Sequence, residues 1–182
     1  MEILTSFNEE LSRKEFDAIP FINADGYHSK TIAYSIWHIF RIEDIVAHTV
    51  ITEDEQVFFT GNYQVRINSP IITTGNELVK QQIADFSKQL NLEELYSYIF
   101  EVRESTEKIL ERFSYDELKW KIPDERKGYL KSLNVVNCDE KAIWLIDYWC
   151  SKDIRGLIQM PFSRHWIMHT EACLRIKNKM HS

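Results

Sequence analysis

The segment PFSRHWIMHTEACLRIKNKM, residues 161–180, restricts the fold more than any other stretch. Laid on a helix at about 100° per residue, it places His165 and His169 on one stripe with Phe162, Ala172, Cys173, Ile176 and Met180. Arg164, Glu171, Arg175, Asn178 and Lys179 take the opposite side. Both imidazoles therefore face the core, one turn apart, where one ion can bridge them. An unpaired polar group in an apolar interior is costly, and a divalent cation is the most economical partner for two imidazoles. Two core histidines satisfied by ordinary hydrogen bonds are the alternative.

The rest of the chain agrees with a helical fold. Five glycines and four prolines in 182 residues leave few turn formers, and long periodic segments dominate. Leu4, Phe7 and Leu11 fall at helical spacing over residues 2–15, with Ser6 and Glu9 as a capping box. Residues 31–51 are strongly helical, with a broad apolar arc through Ile32, Ile36, Ile39, Phe40 and Val46. Asn76 is read as the cap of a short helix to Lys88, and Asn91 with Glu94 opens a long helix to about Phe113. Residues 53–75 show no period, and 114–138 form an irregular connection with one helical turn. Residues 140–151 are apolar almost all round and are read as buried; Pro161 introduces the last helix. The expectation is a single all-α domain over 1–182, with four principal helices and additional short helices in long connections.

Net charge is −6 with the basic residues dispersed, which argues against a nucleic-acid partner, since phosphate binding needs clustered Lys and Arg. The opening MEILTSFNEEL has early acids and no apolar run, so it does not read as a secretory signal. No window approaches the roughly 20 apolar residues of a membrane span. Cys138, Cys150 and Cys173 are odd in number and lack CxxC spacing, as expected of reduced thiols in a cytosol.

A catalytic zinc-type site usually takes three protein ligands. The other histidines are His28 in a connection, His48 on the polar side of its helix with Arg41 and Asp44, the penultimate His181, expected to fray, and His38. His38 sits at the edge of the apolar arc and becomes the third candidate only by elimination. Cys173 continues the four-residue spacing, but eight residues of helix rise about 12 Å, too far for one ion to reach both it and His165. Glu43, an acid near the middle of the apolar arc, needs a partner, and Arg103 on the long middle helix is the best placed. Two readings of Glu43 stay open: a pair locking two helices, or a group beside the metal acting as support or general base. Serine-elbow, P-loop, GxGxxG and HExxH motifs are absent. Trp37, Trp144, Trp149 and Trp166 are read as core, with Trp37 and Trp166, neighbours of His38 and His165, as walls of a pocket.

WHIFRIEDIVAH and SRHWIMHTEACLRI, together with the run SPIITTGNELVKQQIADFSKQLNLEELYSYIFEVRESTEKIL, resemble the DinB-like (damage-inducible) metalloenzyme superfamily over nearly the whole chain. The resemblance implies a four-helix bundle with a divalent ion held by one histidine of the second helix and two, four apart, of the last. These positions are His38, His165 and His169 here. Zinc suits that set, and nickel, iron or cobalt also accept three imidazoles. Relatives with assigned activities resemble S-transferases or isomerases using low-molecular-weight thiols such as bacillithiol, mycothiol or glutathione. With the cytosolic reading of the cysteines, the expectation is a cytoplasmic enzyme acting on a small molecule, with a homodimer compatible with the fold. A non-catalytic, stress-related metal-binding scaffold is the competing expectation.

Overall fold

Residues 1–182 of the computed structural model are all described, and their regular structure is helical, with one isolated bridge between Lys121 and Asp153. The helices are α1 (Glu2–Glu10), α2 (Arg13–Phe16), α3 (Ile32–Asp44), α4 (Val57–Thr60), α5 (Tyr63–Arg66) and α6 (Gln81–Gln89). They continue as α7 (Leu92–Leu110), α8 (Arg126–Leu133), α9 (Glu140–Cys150), α10 (Ile154–Gln159) and α11 (His165–Met180). Two π-helical segments interrupt the regular pattern, Ile45–Thr52 after α3 and Met160–Arg164 before α11. No helix is long and apolar enough to cross a membrane.

Side-chain caps start the helices that matter for the site. Thr31 accepts from the Tyr34 N–H ahead of α3, and Asn91 accepts from the Glu94 N–H ahead of α7, as its sequence signature predicts. Three expectations are corrected. The capping box is Ser12 with Glu15, opening α2; Ser6 lies inside α1 and its hydroxyl donates to the Ile3 carbonyl. Asn76 caps nothing, because Lys80 at φ 48° delays the helix to Gln81. Pro161 falls within a turn already begun by α10. Proline has no N–H for the α ladder, and the chain passes it in a π turn that leads into α11. Residues 114–138 hold more structure than expected, a 3-10 turn at Glu117–Lys119 and the two turns of α8.

α3 is the central element. All thirteen of its residues are buried, and it packs against α7, α11 and α6. An apolar arc with a solvated back, as the sequence suggested, is therefore not what α3 presents. Its polar residues are buried with partners. Asp44, fully buried, accepts from the Val57 and Phe58 N–H groups at 2.9 and 2.8 Å and from the Tyr98 hydroxyl at 2.8 Å. His48, expected on a polar face, is buried too, 2.9 Å from Asp44 and 2.8 Å from the Ser105 hydroxyl of α7. The face it shares with Asp44 is covered by α7, and these two partners satisfy both ring nitrogens.

The apolar interior divides along α3. One cluster gathers Leu4 and Phe7 of α1, Ile32 to Phe40 of α3, Phe86, Ile99, Cys173 and Ile176. The second gathers Ile42, Val46 and Val50 with Leu130, Trp149, Leu157 and Phe162. The chain leaves the second cluster at Phe162 of the π segment and, along α11, joins the first at Cys173 and Ile176. His165 and His169 lie between, at the junction.

Candidate metal centre

The three histidines meet at that junction. Ring centroids stand 5.0 Å apart for His38–His165, 4.9 Å for His38–His169 and 4.6 Å for His165–His169. One ligand nitrogen from each lies within 4.8 Å of the others, and all three residues are buried. Two Zn–N bonds of about 2.1 Å span at most about 4.2 Å, so modest ring movement brings the three nitrogens onto one ion. The cluster could hold a metal ion; no carboxylate, thiolate or fourth imidazole joins it.

Each ring is prepared differently. His38 Nδ1 stands 2.6 Å from the Thr74 carbonyl oxygen, so it carries the proton and leaves Nε2 free as a ligand. Tyr34 stacks on that ring at 5.3 Å, and Tyr27 meets His169 edge-on at 4.8 Å. Nδ1 of both His165 and His169 is buried with no hydrogen-bond partner. Buried imidazoles with an unpartnered nitrogen in a three-ring cluster fit a metal site better than they fit an ordinary core. Burial brings His38 down to about 4 despite the Thr74 bond, with the Lys30 charge adding to the effect. Burial, then the neighbouring imidazoles, holds His165 and His169 well below the usual histidine range. All three are neutral at neutral pH, the form a metal needs.

The segment carrying Thr74 is strapped to α3. The Tyr34 hydroxyl donates to the Gly75 carbonyl at 2.9 Å, and the Arg41 guanidinium donates to the Ile72 carbonyl at 2.7 Å. With His38 on Thr74, one stripe of α3 thus holds three carbonyls of a loop, those of Ile72, Thr74 and Gly75. Gly75 at φ +78° permits the close approach, since a Cβ there would meet Trp37 at 2.8 Å.

Two cavities open onto the cluster. One, of about 230 Å³, contains all three histidines and is walled by Ile42, Trp144, Leu145, Tyr148, Trp149 and Pro161. The other, of about 340 Å³, contains His38 and His169 and is lined by Asp25, Ser29, Lys30 and Tyr34. Tyr27 and Asn76 belong to both. The tryptophans at the site are Trp144 and Trp149 of α9, not Trp37 and Trp166. Trp37 is wholly in the core, and the Trp166 indole N–H donates to Glu43 Oε2 at 2.8 Å.

Glu43 and Arg103 do pair, at 3.6 Å, joining α3 to α7. Neither lines either cavity. Their link to the centre runs through Trp166, the neighbour of His165, and Arg103 also lies 5.5 Å over that indole. Cys173 is a buried core thiol, pushed up to about 12 by burial. His28 packs edge-on to Phe21, and His181, expected to fray, bonds Glu15 at 2.6 Å. Sequence reasoning missed Thr74, Tyr27, Lys30 and Asn76. Only the glycine of the TTGN stretch hinted at a close approach there. No family model and no curated protein matches the chain.

Proposed function

We propose that this chain is a metal-dependent enzyme of the DinB-like class. A divalent ion on His38, His165 and His169, zinc first among the candidates, serves transfer of a small thiol to an apolar electrophile. The observation that carries the reading is the convergence of three neutral, buried imidazoles, two with orphaned Nδ1 atoms, on an aromatic-walled cavity. In this reading α1, α3, α7 and α11, which share one apolar cluster, supply the family's four-helix frame, and the protein works among cytosolic thiols.

A bound divalent ion lowers the pKa of a coordinated thiol or water. The chain's own residues do the rest. Thr74 fixes the His38 tautomer, Tyr27 and Tyr34 limit ring rotation, and Trp144, Tyr148 and Trp149 take the apolar part of a substrate and exclude water. The aromatic cavity contains no carboxylate. That favours a nucleophile that ionises readily, a thiol, over a water that would lean on a protein base. The three-ligand cluster leaves positions free, which favours catalysis over a closed structural site.

The test begins with untagged protein loaded with zinc and analysed by mass spectrometry. Wild type and His48→Ala should hold about one equivalent, and His169→Ala should hold less than about a tenth of that. Equal retention in both variants removes the metal assignment. Wild type should also consume thiol in the presence of an electrophile such as 1-chloro-2,4-dinitrobenzene, and a chelator should stop it. Turnover that survives chelation overturns the enzymatic reading.

A further inference from the structure

Lys30 is half-buried in the polar cavity, the one that reaches His38 and His169. Its ammonium stands 5.5 Å above the Tyr34 ring, and no carboxylate lies within ion-pair distance. Of the other half-buried cations, Arg103 pairs with Glu43, Lys127 with Asp147 and Lys177 with Glu10, whereas Lys152, like Lys30, has only an aromatic face, at 4.5 Å over Tyr148. Lys30 shares the polar cavity with both His38 and His169, which places its charge beside the three-histidine cluster. Asp25 lines the same cavity but is solvent-exposed, so its charge is screened. Glu77, whose charge acts on Tyr34, is tied to Thr73 and lines neither cavity.

We propose that Lys30 anchors the carboxylate of a small anionic ligand whose other end reaches the three-histidine centre. This deepens the proposed function and rests on it. The charge argument is direct. Three neutral imidazoles contribute nothing to balance a divalent ion, and Lys30 adds a further positive charge nearby. The aromatic cavity holds no charged side chain at all. Partly desolvated cations without counter-charge are costly, so the ligand must bring the negative charge. A carboxylate-bearing thiol does so twice, once at Lys30 and once as its sulfur ionises. The two cavities then divide the work: the carboxylate end lies on the Lys30 side, and the apolar electrophile lies against Trp144 and Tyr148.

The test compares 3-mercaptopropionate with its uncharged amide, 3-mercaptopropionamide. Affinities are read from ¹H–¹⁵N shifts of the backbone around Lys30, in metal-free and in cobalt-loaded protein. Wild type should bind the carboxylate roughly tenfold more tightly than the amide, the scale of a hydrogen bond to a charged group. Lys30→Gln should abolish that preference while leaving amide affinity and cobalt stoichiometry unchanged and the melting temperature no lower, and Lys30→Arg should retain it. Equal affinities in wild type, or a preference that survives Lys30→Gln, overturn the proposal. Failure to bind cobalt together with a Lys30-dependent preference removes the metal reading and leaves the anchor standing.

Discussion

Glu43 has no solvent exposure and sits between Arg103 and the Trp166 indole. Burial pushes its carboxyl up to about 7 from an ordinary 4.5, although Arg103 and Trp166 work in the other direction. Between those two pH values the native state holds a proton that the unfolded chain has released. Stability of the metal-free protein therefore falls as pH rises across that window, with the loss complete above it. Urea unfolding from pH 4 to 8 should show that Glu43→Gln is flatter than wild type there. Parallel profiles would remove Glu43 as the titrating group. Glu43→Ala, which strips the indole of its acceptor, should lose about 1–3 kcal/mol and keep its metal. At this scale the sequence was informative where a residue contradicted its surroundings. An acid in an apolar arc and two imidazoles on a core stripe are such contradictions. Lys30 and Tyr27 were illegible, because they lie in an aperiodic connection and acquire meaning only from what folds against them.

At the level of elements, the strap between α3 and residues 72–76 does most to orient the site. Its weak point is Gly75, where a side chain is opposed both by φ +78° and by Trp37. Gly75→Ala should cost about 1–3 kcal/mol in stability from the backbone conformation alone. It should also displace the Thr74 carbonyl from His38, and loss of such a supporting bond lowers metal affinity roughly 10- to 100-fold. A zinc competition titration decides the second point: unchanged affinity in a destabilised variant would show that Thr74 does not set the ring. α7 was legible, since an Asn91 cap and a 3.6-residue period define it; α9, read as apolar almost all round and buried with Trp144 in the core, instead leaves Trp144 exposed at the mouth of the cavity. The π segments were not. Each widens the turn and breaks the 3.6-residue period on which a wheel depends. The sequence likewise could not show that α3 is covered on every side, because buried Arg41, Asp44 and His48 look like a solvated face until their partners are known.

For the whole molecule, the position of the histidines matters more than their number. α3 runs from the first apolar cluster into the second, and α11 runs the opposite way, so an ion tying His38 to His165 and His169 fastens both clusters together. A ligand that binds only the folded chain stabilises it by about 2.7 kcal/mol at a hundred times its dissociation constant. For a chain of this size each kcal/mol moves the midpoint by roughly 2–4 °C, so zinc should raise it by roughly 5–10 °C. Hydrogen exchange should slow along both α3 and α11, including Ile42 on one side of the junction and Ile176 on the other. A purely local clamp would protect only the turn around His165. His169→Ala should erase the zinc-dependent shift, while Glu43→Ala, which loosens the same helices without touching a ligand, should start lower and still gain from zinc. If the midpoint ignores zinc and chelator alike, the histidines contribute nothing across the junction, and their orphaned nitrogens are a cost the fold bears without return.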